Sequence, residues 1–367
     1  MRVAFFTPEL SASYGWARYA LDLARELRKQ GVEVVALTKP GGAVELDGLE
    51  IHPVLPGLVP RVRWFLPRNA LALPRVRRAA AGCDLLHVIA EPYAPLAALI
   101  AGKRPLAVTT HGTYVPQTVR RRLVGPLYAW AYQRATLIAV SDYTAGQVRD
   151  ALPTATPTVI RNGVHYADFQ QPAPVPLKSG PTVLASGGVK PRKGTHLLVA
   201  AMARVVQQVP DAQLIVTGKP SDAHYLAEVQ RQIAAFDLDD HIHLAGQVPA
   251  EVLRGWYQHA DVFALPALNV GQKFEGFGLV LLEASACGLP VIGTTGSGVA
   301  EAVIDGETGF LIPQDDALAL AERITQLLSD EALHARMGAA GRAYAQTQDW
   351  AAIARRVAAI YQSLISP

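Results

Sequence analysis

Short apolar segments alternate with longer amphipathic segments along most of this sequence, and this alternation restricts what the chain can fold into. The apolar run at residues 3–6 is followed by an amphipathic stretch at 17–27 and by a second apolar run at 32–37. Strand, helix and strand in this order form the unit from which parallel sheets are built. The same pattern predicts four further buried strands, at residues 85–89, 106–110, 137–140 and 158–160.

The alternation is interrupted at residues 169–181, where four prolines accumulate together with Ser179 and Gly180. Such a segment is typical of a linker between domains. The pattern then resumes, with helices predicted at 197–208 and 223–235. Strands are predicted at residues 182–185, 213–217, 241–244, 262–265, 290–293 and 310–312. A chain of 367 residues is also longer than one ordinary core supports.

These patterns predict an α/β protein with two Rossmann-like, doubly wound domains that face each other across a cleft. The expected boundaries are 1–170 for the N-terminal domain, 171–181 for the linker and 182–348 for the C-terminal domain, followed by a helix within 349–367. Ligands of such sheets bind outside the carboxyl ends of the strands. Residues that directly follow a strand are therefore the candidates for a site.

The composition narrows the class of function. Half of the residues are apolar, only 18% are charged, and the net charge of +3 is too small to indicate a nucleic-acid partner. Cys83 and Cys287 fit no metal or redox spacing and are interpreted as free cytosolic thiols. No signal peptide is indicated, and no apolar stretch reaches the roughly 20 residues of a membrane span. We expect a cytoplasmic protein, with peripheral contact at the inner membrane face left open.

The segment from Glu275 to Glu283 carries the strongest functional signal. Its two carboxylates flank a Gly-Phe-Gly turn and an apolar run that reads as the start of a helix. A helix start with free N–H groups binds anions, and carboxylates accept hydrogen bonds from hydroxyls, so the pair suits a sugar joined to a phosphate. The residues that open this helix are Gly276, Phe277, Gly278 and Leu279.

Two loops that follow strands of the first domain are weaker candidates. Gly15 lies between the first strand and the first helix, where backbone can approach a phosphate, although an ordinary loop glycine fits equally well. The glycines of the dinucleotide fingerprint are absent there, which disfavours an oxidoreductase. His111 follows a buried strand and either points into the cleft or bonds to backbone. His87 has a similar setting and is interpreted as a core or supporting residue.

A basic loop follows the first strand of the second domain. Lys190, Arg192 and Lys193 lie within four positions, and cations at a strand end can neutralise a diphosphate leaving group. A solvated basic loop is the alternative, but Gly188 just before the cations allows backbone to come close to a ligand. Two later strand-end residues are candidates for contact with a nucleotide base, namely Gly218 and Val248.

Two arginine-rich segments lie outside these loops. Six arginines occur between Arg61 and Arg78, interleaved with apolar and aromatic residues, and three more are consecutive from Arg120 to Arg122. Such segments either contact an anionic membrane or a phosphorylated lipid acceptor, or they form a solvated face.

Together these residues resemble family 4 of the glycosyltransferases, retaining enzymes of the GT-B fold, over nearly the whole chain. Glu275 to Glu283, continued by Ala284-Ser285-Ala286-Cys287-Gly288-Leu289-Pro290-Val291-Ile292, looks like the E-x7-E segment of that family. The supporting matches are Asn162-Gly163-Val164, Pro191-Arg192-Lys193-Gly194, Glu301 with Gly309-Phe310-Leu311, and the helix at Asp349-Trp350. In the family that last helix crosses back to the first domain.

The resemblance implies roles for the candidate residues. Glu275 and the N–H groups after it would hold hydroxyls of the donor sugar, and Glu283 would hold those of the nucleotide ribose. Lys193 and the Gly15 loop would bind the diphosphate, and His111 would lie near the reacting sugar. The acceptor proton would pass to the leaving phosphate oxygen while the new bond forms on the same face. Neither a metal nor a cofactor is implied, since the nucleotide-sugar is a co-substrate.

The sequence departs from the family pattern mainly at Gly188, where members usually carry an arginine. One phosphate-neutralising charge is therefore missing unless Lys190 or Arg192 replaces it. In addition, Tyr14-Gly15 stands where Gly-Gly is common, and the lead into Glu275 is longer than in many members.

The expected activity is transfer of a hexose from a UDP- or GDP-sugar to a hydroxyl acceptor such as a glycan, a glycolipid or a small metabolite. The alternatives are a nucleotide-sugar-binding protein without activity, a sugar phosphorylase or a nucleotide-sugar epimerase.

Overall fold

A computed structural model describes residues 1–12, 15–58, 65–174, 179–220 and 222–366, with residues 65 and 66 described by their backbone alone. The chain divides into two units, each with its own hydrophobic core. Unit 1 comprises Met1–Asn162 and Trp350–Pro367, and unit 2 comprises Gly163–Asp349.

Unit 1 contains a parallel sheet whose seven described strands are ordered β3-β2-β1-β4-β5-β6-β7. These strands are β1 (Arg2–Phe6), β2 (Glu33–Leu37), β3 (Glu50–His52), β4 (Leu85–Val88), β5 (Leu106–Thr110), β6 (Thr136–Ala139) and β7 (Thr158–Val159). Its described helices are α1 (Gly15–Lys29), α2 (Phe65–Ala79), α3 (Ala94–Ala101), α4 (Tyr114–Val119), α5 (Gly125–Gln133), α6 (Asp142–Ala151) and the final helix α14 (Trp350–Ile365).

Unit 2 has a six-stranded parallel sheet, within the described residues, in the order β10-β9-β8-β11-β12-β13. Its strands are β8 (Thr182–Ser186), β9 (Gln213–Thr217), β10 (Ile242–Gly246), β11 (Val262–Ala264), β12 (Val291–Thr294) and β13 (Gly309–Ile312). Its described helices are α7 (Tyr166–Phe169), α8 (Thr195–Val205), α9 (Ala223–Ala235), α10 (Ala250–His259), α11 (Leu279–Ala286), α12 (Ala317–Ser329) and α13 (Glu331–Thr347).

Both sheets have the doubly wound order that the sequence predicts. In each sheet the second and third strands lie on one side of the first strand, and the later strands lie on its other side. The strand order therefore reverses at β1 in unit 1 and at β8 in unit 2. Every residue of β5 is buried, as expected for a parallel strand covered on both faces. In such sheets the loops at the reversal form the ligand site, and the basic loop of unit 2 directly follows β8.

The last helix, α14, completes unit 1 although most of that unit comes from the start of the chain. It packs against α1, and its residues Trp350 and Tyr361 are 1% and 0% exposed. The edge of the Trp350 ring meets Tyr19 of α1, with ring centroids 5.3 Å apart. Two large aromatic side chains of α14 therefore belong to the interior of unit 1.

The division between the units falls at Asn162/Gly163 rather than in the linker placed at 171–181 from the sequence. The residues around α7 account for the difference because they pack on unit 2. Phe169 is buried against the ring of Tyr257, and Gln258 donates hydrogen bonds to the carbonyl oxygens of Phe169 and Gln171 at 2.9 and 2.7 Å. The linker at 171–181 was predicted from its prolines. Residues 175–178 of that segment lie outside the described residues.

Most elements lie where the apolar pattern places them. Helix α9 spans Ala223–Ala235, the predicted range, whereas β3 has only three residues, none of them buried, and carries no apolar run by which to predict it. In the part of the chain that the structure describes, no helix combines the length and apolarity needed to cross a bilayer.

Candidate active site

In unit 2 the carboxylate of Glu275 is held by two cations. Arg192 Nη1 and Lys193 Nζ both contact its Oε2 atom, the lysine at 3.0 Å. The cations lie in a short 3-10 turn, Pro191–Lys193, that follows β8, and Glu275 lies in the loop before α11. The side chains of Glu275 and Lys193 are only 15% and 10% exposed. Residues far apart in sequence thus form one nearly buried ionic cluster.

The cluster determines which of its groups are ionised. Burial by itself raises the pKa of Glu275, but the charges of Lys193 and Arg192 outweigh burial and lower that pKa to about 2. Burial lowers the pKa of Lys193, and the charge of Glu275 opposes this change. Lys190, half-buried nearby, has its pKa lowered by burial and by the charges of Arg192 and Lys193. Three cations around one carboxylate leave excess positive charge, which suits an anionic ligand.

Beside the cluster, the loops after β8 and β9 touch through backbone alone. Gly188 has φ +88° and Gly218 has φ +104°, conformations that favour glycine. A side chain at 188 would collide with the Lys219 carbonyl oxygen, and a Cβ at 218 would lie 2.5 Å from the Gly188 nitrogen. The N–H of Gly218 donates to the Gly246 carbonyl at 2.6 Å. The structure therefore brings three predicted strand-end loops together and explains why glycine stands at 188.

The Gly-Phe-Gly turn opens helix α11 as predicted. Gly278 is the N-cap residue with φ +84°, and Leu279 is the first helical residue. Phe277 is 2% exposed, and Gly276 and Gly278 are also buried. The Glu275 carbonyl accepts a hydrogen bond from Gly298 N–H at 3.0 Å, which ties the turn to the loop after β12.

Glu283 lies on α11 and is oriented by a residue that sequence reasoning missed. The Tyr257 hydroxyl, from helix α10, donates to Glu283 Oε2 at 2.9 Å. Tyr257 is 1% exposed, and burial together with the charge of Glu283 raises its pKa well above the usual value. Burial lowers the pKa of Lys193, and the charge of Glu283, like that of Glu275, opposes this change, so both carboxylates act on the same ammonium group. No sequence pattern singles out Tyr257, because its role depends on the packing of α10 against α11.

Two predicted donor-binding residues are not linked to this cluster by the described contacts. Val248 is half-buried in the loop between β10 and α10, two residues beyond the Gly246 carbonyl that holds Gly218. Gly15 is the exposed first residue of α1 in unit 1, and a Cβ there would have no atom within 4 Å among the described residues. The residues just before it, Ser13 and Tyr14, lie outside the described part.

In unit 1 the predicted His111 follows β5 and is held from two sides. Its backbone N–H donates to Glu91 Oε1 at 2.6 Å. Its imidazole bonds to the Ile89 backbone and, since its Nε2 atom has no hydrogen-bond partner in the described structure, that bond involves Nδ1. Burial lowers the pKa of His111 to about 3. The neutral ring therefore keeps its proton on Nδ1 and presents Nε2 as an acceptor.

Glu91 is a second residue that sequence reasoning missed. It lies three residues beyond the end of β4, in a strand-end loop like the one that identified His111, so the signal was present. The side chain is 0% exposed, and burial raises its pKa to about 8 despite the N–H donors of His111 and of Glu91 itself. Its Oε2 atom has no hydrogen-bond partner in the described structure. Glu91 is therefore mostly a neutral carboxylic acid at neutral pH.

No group of three or more His, Cys, Asp or Glu side chains is arranged to hold a metal ion in the ranges that the structure covers.

The pKa of Glu91 gives a pH-dependent stability prediction. Its value in the folded protein lies above that of an unfolded glutamate, so ionisation destabilises the fold increasingly as the pH rises from about 4.5 to 8. Glu91→Gln keeps an acceptor for His111 N–H and cannot ionise. We expect its melting temperature to exceed that of the wild type by an amount that grows with pH, on the order of 5 °C by pH 8.

The matched control is Glu33→Gln, which replaces a carboxylate of the same unit whose side chain is 61% exposed. Its melting temperature should follow that of the wild type from pH 5 to 8. If the difference in melting temperature between Glu91→Gln and the wild type is also constant from pH 5 to 8, Glu91 is already ionised in the folded protein.

Two family models match the chain in succession. The model described as Glycosyltransferase Family 4 matches residues 14–167, and the model described as Glycosyl transferases group 1 matches residues 168–344. The boundary between the two matches lies within a few residues of the division between the units. The matched segments contain the ionic cluster around Glu275 and the loop of His111.

Curated relatives match over most of their length. A phosphatidyl-myo-inositol mannosyltransferase from Mycobacterium leprae (strain TN) is 30% identical over 380 residues, covering 99% of this chain and 97% of the relative. A GDP-mannose-dependent alpha-(1-6)-phosphatidylinositol monomannoside mannosyltransferase from Mycolicibacterium smegmatis is 32% identical over 300 residues, covering 77% of each.

Solved structures support the fold. HepE of Anabaena in complex with UDP superposes with a TM-score of 0.79 at 19% identity, covering 99% of this chain and all of that one. Sucrose-phosphate synthase from Thermosynechococcus elongatus superposes with a TM-score of 0.78 at 25% identity, covering 99% and 98%. With the two parallel-sheet units, these similarities confirm the predicted GT-B fold. The chain therefore belongs to glycosyltransferase family 4.

Proposed function

We propose that this glycosyltransferase moves a hexose, mannose first among the candidates, from a nucleotide diphosphate sugar to a hydroxyl of an inositol glycolipid. The relatives are GDP-mannose-dependent and phosphatidylinositol mannosyltransferases by name, which favours GDP-mannose over UDP-sugars and a lipid-linked acceptor over a small metabolite. The observation that carries the proposal is the buried cluster in which Glu275 faces two cations beside Glu283. Such a cluster offers positive charge to a diphosphate and carboxylates to hydroxyl groups.

In this proposal each member of the cluster has one task. Lys193 and Lys190 neutralise the diphosphate, on which charge builds as the sugar departs. Arg192 remains with Glu275, whose carboxylate accepts hydrogen bonds from sugar hydroxyls. Glu283, oriented by Tyr257, accepts those of the ribose. His111 presents its Nε2 atom to the reacting sugar.

The proton chemistry follows from the pKa values. Glu275 has a pKa of about 2 and His111 a pKa of about 3, so neither is an effective base at neutral pH. Glu91 holds its own proton up to a pKa of about 8. We propose that the bond from the sugar C1 to the phosphate oxygen breaks while the acceptor oxygen bonds to C1 from the same face. The acceptor proton then passes to the leaving phosphate oxygen, so the reaction retains configuration and needs no metal.

The direct test measures donor binding and product stereochemistry. In a thermal-shift panel of UDP-, GDP- and ADP-sugars, we expect GDP-mannose to raise the melting temperature in proportion to the logarithm of its excess over the dissociation constant. With phosphatidylinositol vesicles as acceptor, the product should carry an α-mannosyl bond by NMR, with or without EDTA. A β-linked product contradicts retention, and loss of turnover with EDTA contradicts metal independence. Stabilisation without turnover supports the alternative of a nucleotide-sugar-binding protein.

The site assignment predicts the effect of two substitutions. Lys193→Ala removes charge from the diphosphate and leaves Glu275 with one cation, and Glu275→Ala removes the acceptor for sugar hydroxyls. We expect each to lower the transfer rate roughly tenfold or more while circular dichroism stays unchanged. Glu307→Ala, at an exposed glutamate of the same unit, should transfer at the wild-type rate. Near-normal turnover in both site variants would contradict the assignment of Lys193 and Glu275 to the donor site.

Peripheral membrane contact is considered from the sequence for two segments, Arg61–Arg78 and Arg120–Arg122. Arg61 and Arg63 lie outside the described residues. On α2 the side chains of Arg75, Arg77 and Arg78 are exposed, and Leu71 is 81% exposed. In the turn before α5, Arg120 to Arg122 are exposed and Leu123 is 92% exposed. Helix α3 packs against both α2 and α5, which places the two segments on one layer of unit 1.

The charge of this region suits an anionic bilayer. Residues 53–141 contain 12 lysines and arginines but only two acidic residues, while the whole chain has a net charge of +3. Arginines beside exposed leucines are typical of surfaces that lie on anionic lipid. We therefore propose that α2 and the 120–123 turn rest on the membrane that contains the acceptor.

Vesicle binding tests this contact. Replacing Arg120, Arg121 and Arg122 by Gln should weaken cosedimentation with phosphatidylinositol-containing vesicles roughly a hundredfold, at about 1 kcal/mol for each arginine. Binding should also weaken with salt. The control loses three exposed arginines of unit 2, through Arg204→Gln, Arg231→Gln and Arg336→Gln. Equal binding by the two triple variants would show that net charge, not this surface, drives association.

A further inference from the structure

A continuous series of buried contacts connects the last helix of the chain with His111. Tyr361 of α14 bonds through its hydroxyl to His87 Nδ1 at 2.5 Å, and His87 Nε2 bonds to Thr109 Oγ1 at 2.8 Å. Thr109 Oγ1 lies 3.4 Å from the Tyr19 hydroxyl. The four side chains are all 0% or 1% exposed. They all belong to unit 1, and none has a role in the proposed chemistry.

The series ends at the His111 ring. The Tyr19 ring meets the His111 imidazole edge to face, with centroids 4.7 Å apart and an interplanar angle of 82°. On its other side, Tyr19 meets the Trp350 ring of α14 in a similar geometry at 5.3 Å. Helix α14 thus reaches His111 by two routes, through the hydrogen-bonded series from Tyr361 and through direct packing of Trp350 on Tyr19.

The imidazole of His87 links the donor and acceptor roles of the two hydroxyls that it contacts. Burial lowers the pKa of His87 to about 3, so the ring is neutral and has one donor and one acceptor nitrogen. If the Tyr361 hydroxyl donates to Nδ1, Nε2–H must donate to Thr109, and if Nδ1 donates, Nε2 must accept. The hydroxyl of Tyr361 and that of Thr109 are therefore coupled through one proton.

We infer that α14 positions His111 for sugar transfer, with Tyr361 and Trp350 as its positioning residues. In the proposed function, on which this inference rests, neither residue is assigned a contact with the donor. They act by fixing Tyr19, whose ring packs on the His111 imidazole and limits its tilt. The imidazole also bonds to the Ile89 backbone, while Glu91 holds the backbone N–H of His111. A small displacement of a reacting contact costs far more in rate than in stability.

The test removes one hydroxyl and compares two variants. Tyr361→Phe deletes the partner of His87 Nδ1. Tyr93→Phe deletes an equally buried hydroxyl of unit 1 that donates to the Pro56 carbonyl at 2.6 Å, outside the series. With GDP-mannose and phosphatidylinositol vesicles, we expect Tyr361→Phe to lower kcat roughly tenfold with little change in the donor KM. Tyr93→Phe should keep the wild-type kcat.

A double-mutant cycle separates positioning from general destabilisation. If Tyr361 acts through His111, Tyr361→Phe should have no further effect on kcat in a His111→Ala background, measured at enzyme concentrations that reveal the residual turnover. Trp350→Phe should behave in the same way. If Tyr361→Phe lowers kcat by the same factor in the presence and absence of His111, the inference is overturned.

A second measurement does not need activity. With ¹⁵N-labelled histidine, imidazole NMR signals report which nitrogen carries the proton. We expect Tyr361→Phe to shift the signals of both His87 and His111, with His111→Ala used for assignment, and Tyr93→Phe to shift neither. A change confined to His87 would overturn the inference. If the wild type transfers no sugar, the proposed function fails, whereas these spectra still decide whether α14 positions His111.

Discussion

The site in unit 2 depends on the pairing of a nearly buried carboxylate with two cations. Burial alone would raise the pKa of Glu275 and lower that of Lys193, so each group in isolation would tend toward its neutral form. Together with Arg192 they stay charged, and the short turn after β8 is held against the loop before α11. Loss of Glu275 would leave Lys193 buried without its carboxylate, and loss of Lys193 would leave Glu275 with one cation, so the cluster has to be understood as a unit.

Unit 1 contributes groups of the opposite character. Glu91 keeps a proton and His111 lacks one, both because of burial, so two ionisable residues at neighbouring strand ends are mostly uncharged at neutral pH. The ionic cluster of unit 2 is thus charged, whereas the paired residues Glu91 and His111 of unit 1 are buried and mostly neutral. An arrangement without a strong protein base is consistent with a reaction in which the departing phosphate takes the proton.

The sequence was sufficient for features that depend on local pattern. The apolar alternation predicted both sheets, and the segment from Glu275 to Glu283 predicted the helix start at Leu279 because a glycine turn and an apolar run are visible in one dimension. The pairing of Glu275 with Arg192 was not predictable, since it joins residues 83 positions apart. Tyr257 and Tyr361 were missed for the same reason. The sequence placed the linker at 171–181 because prolines interrupt the apolar pattern there, whereas the units of the structure divide at Asn162/Gly163 because the residues around α7 pack on unit 2.

The position of α14 has a consequence for how the protein is made. Most of unit 1 is synthesised before unit 2, yet its interior lacks Trp350 and Tyr361 until α14 has been synthesised. Unit 2 is continuous in sequence and can fold first, while the earlier-made unit waits with an unfilled core. Translation that stops before α14 would therefore yield a folded second unit attached to an incomplete first one.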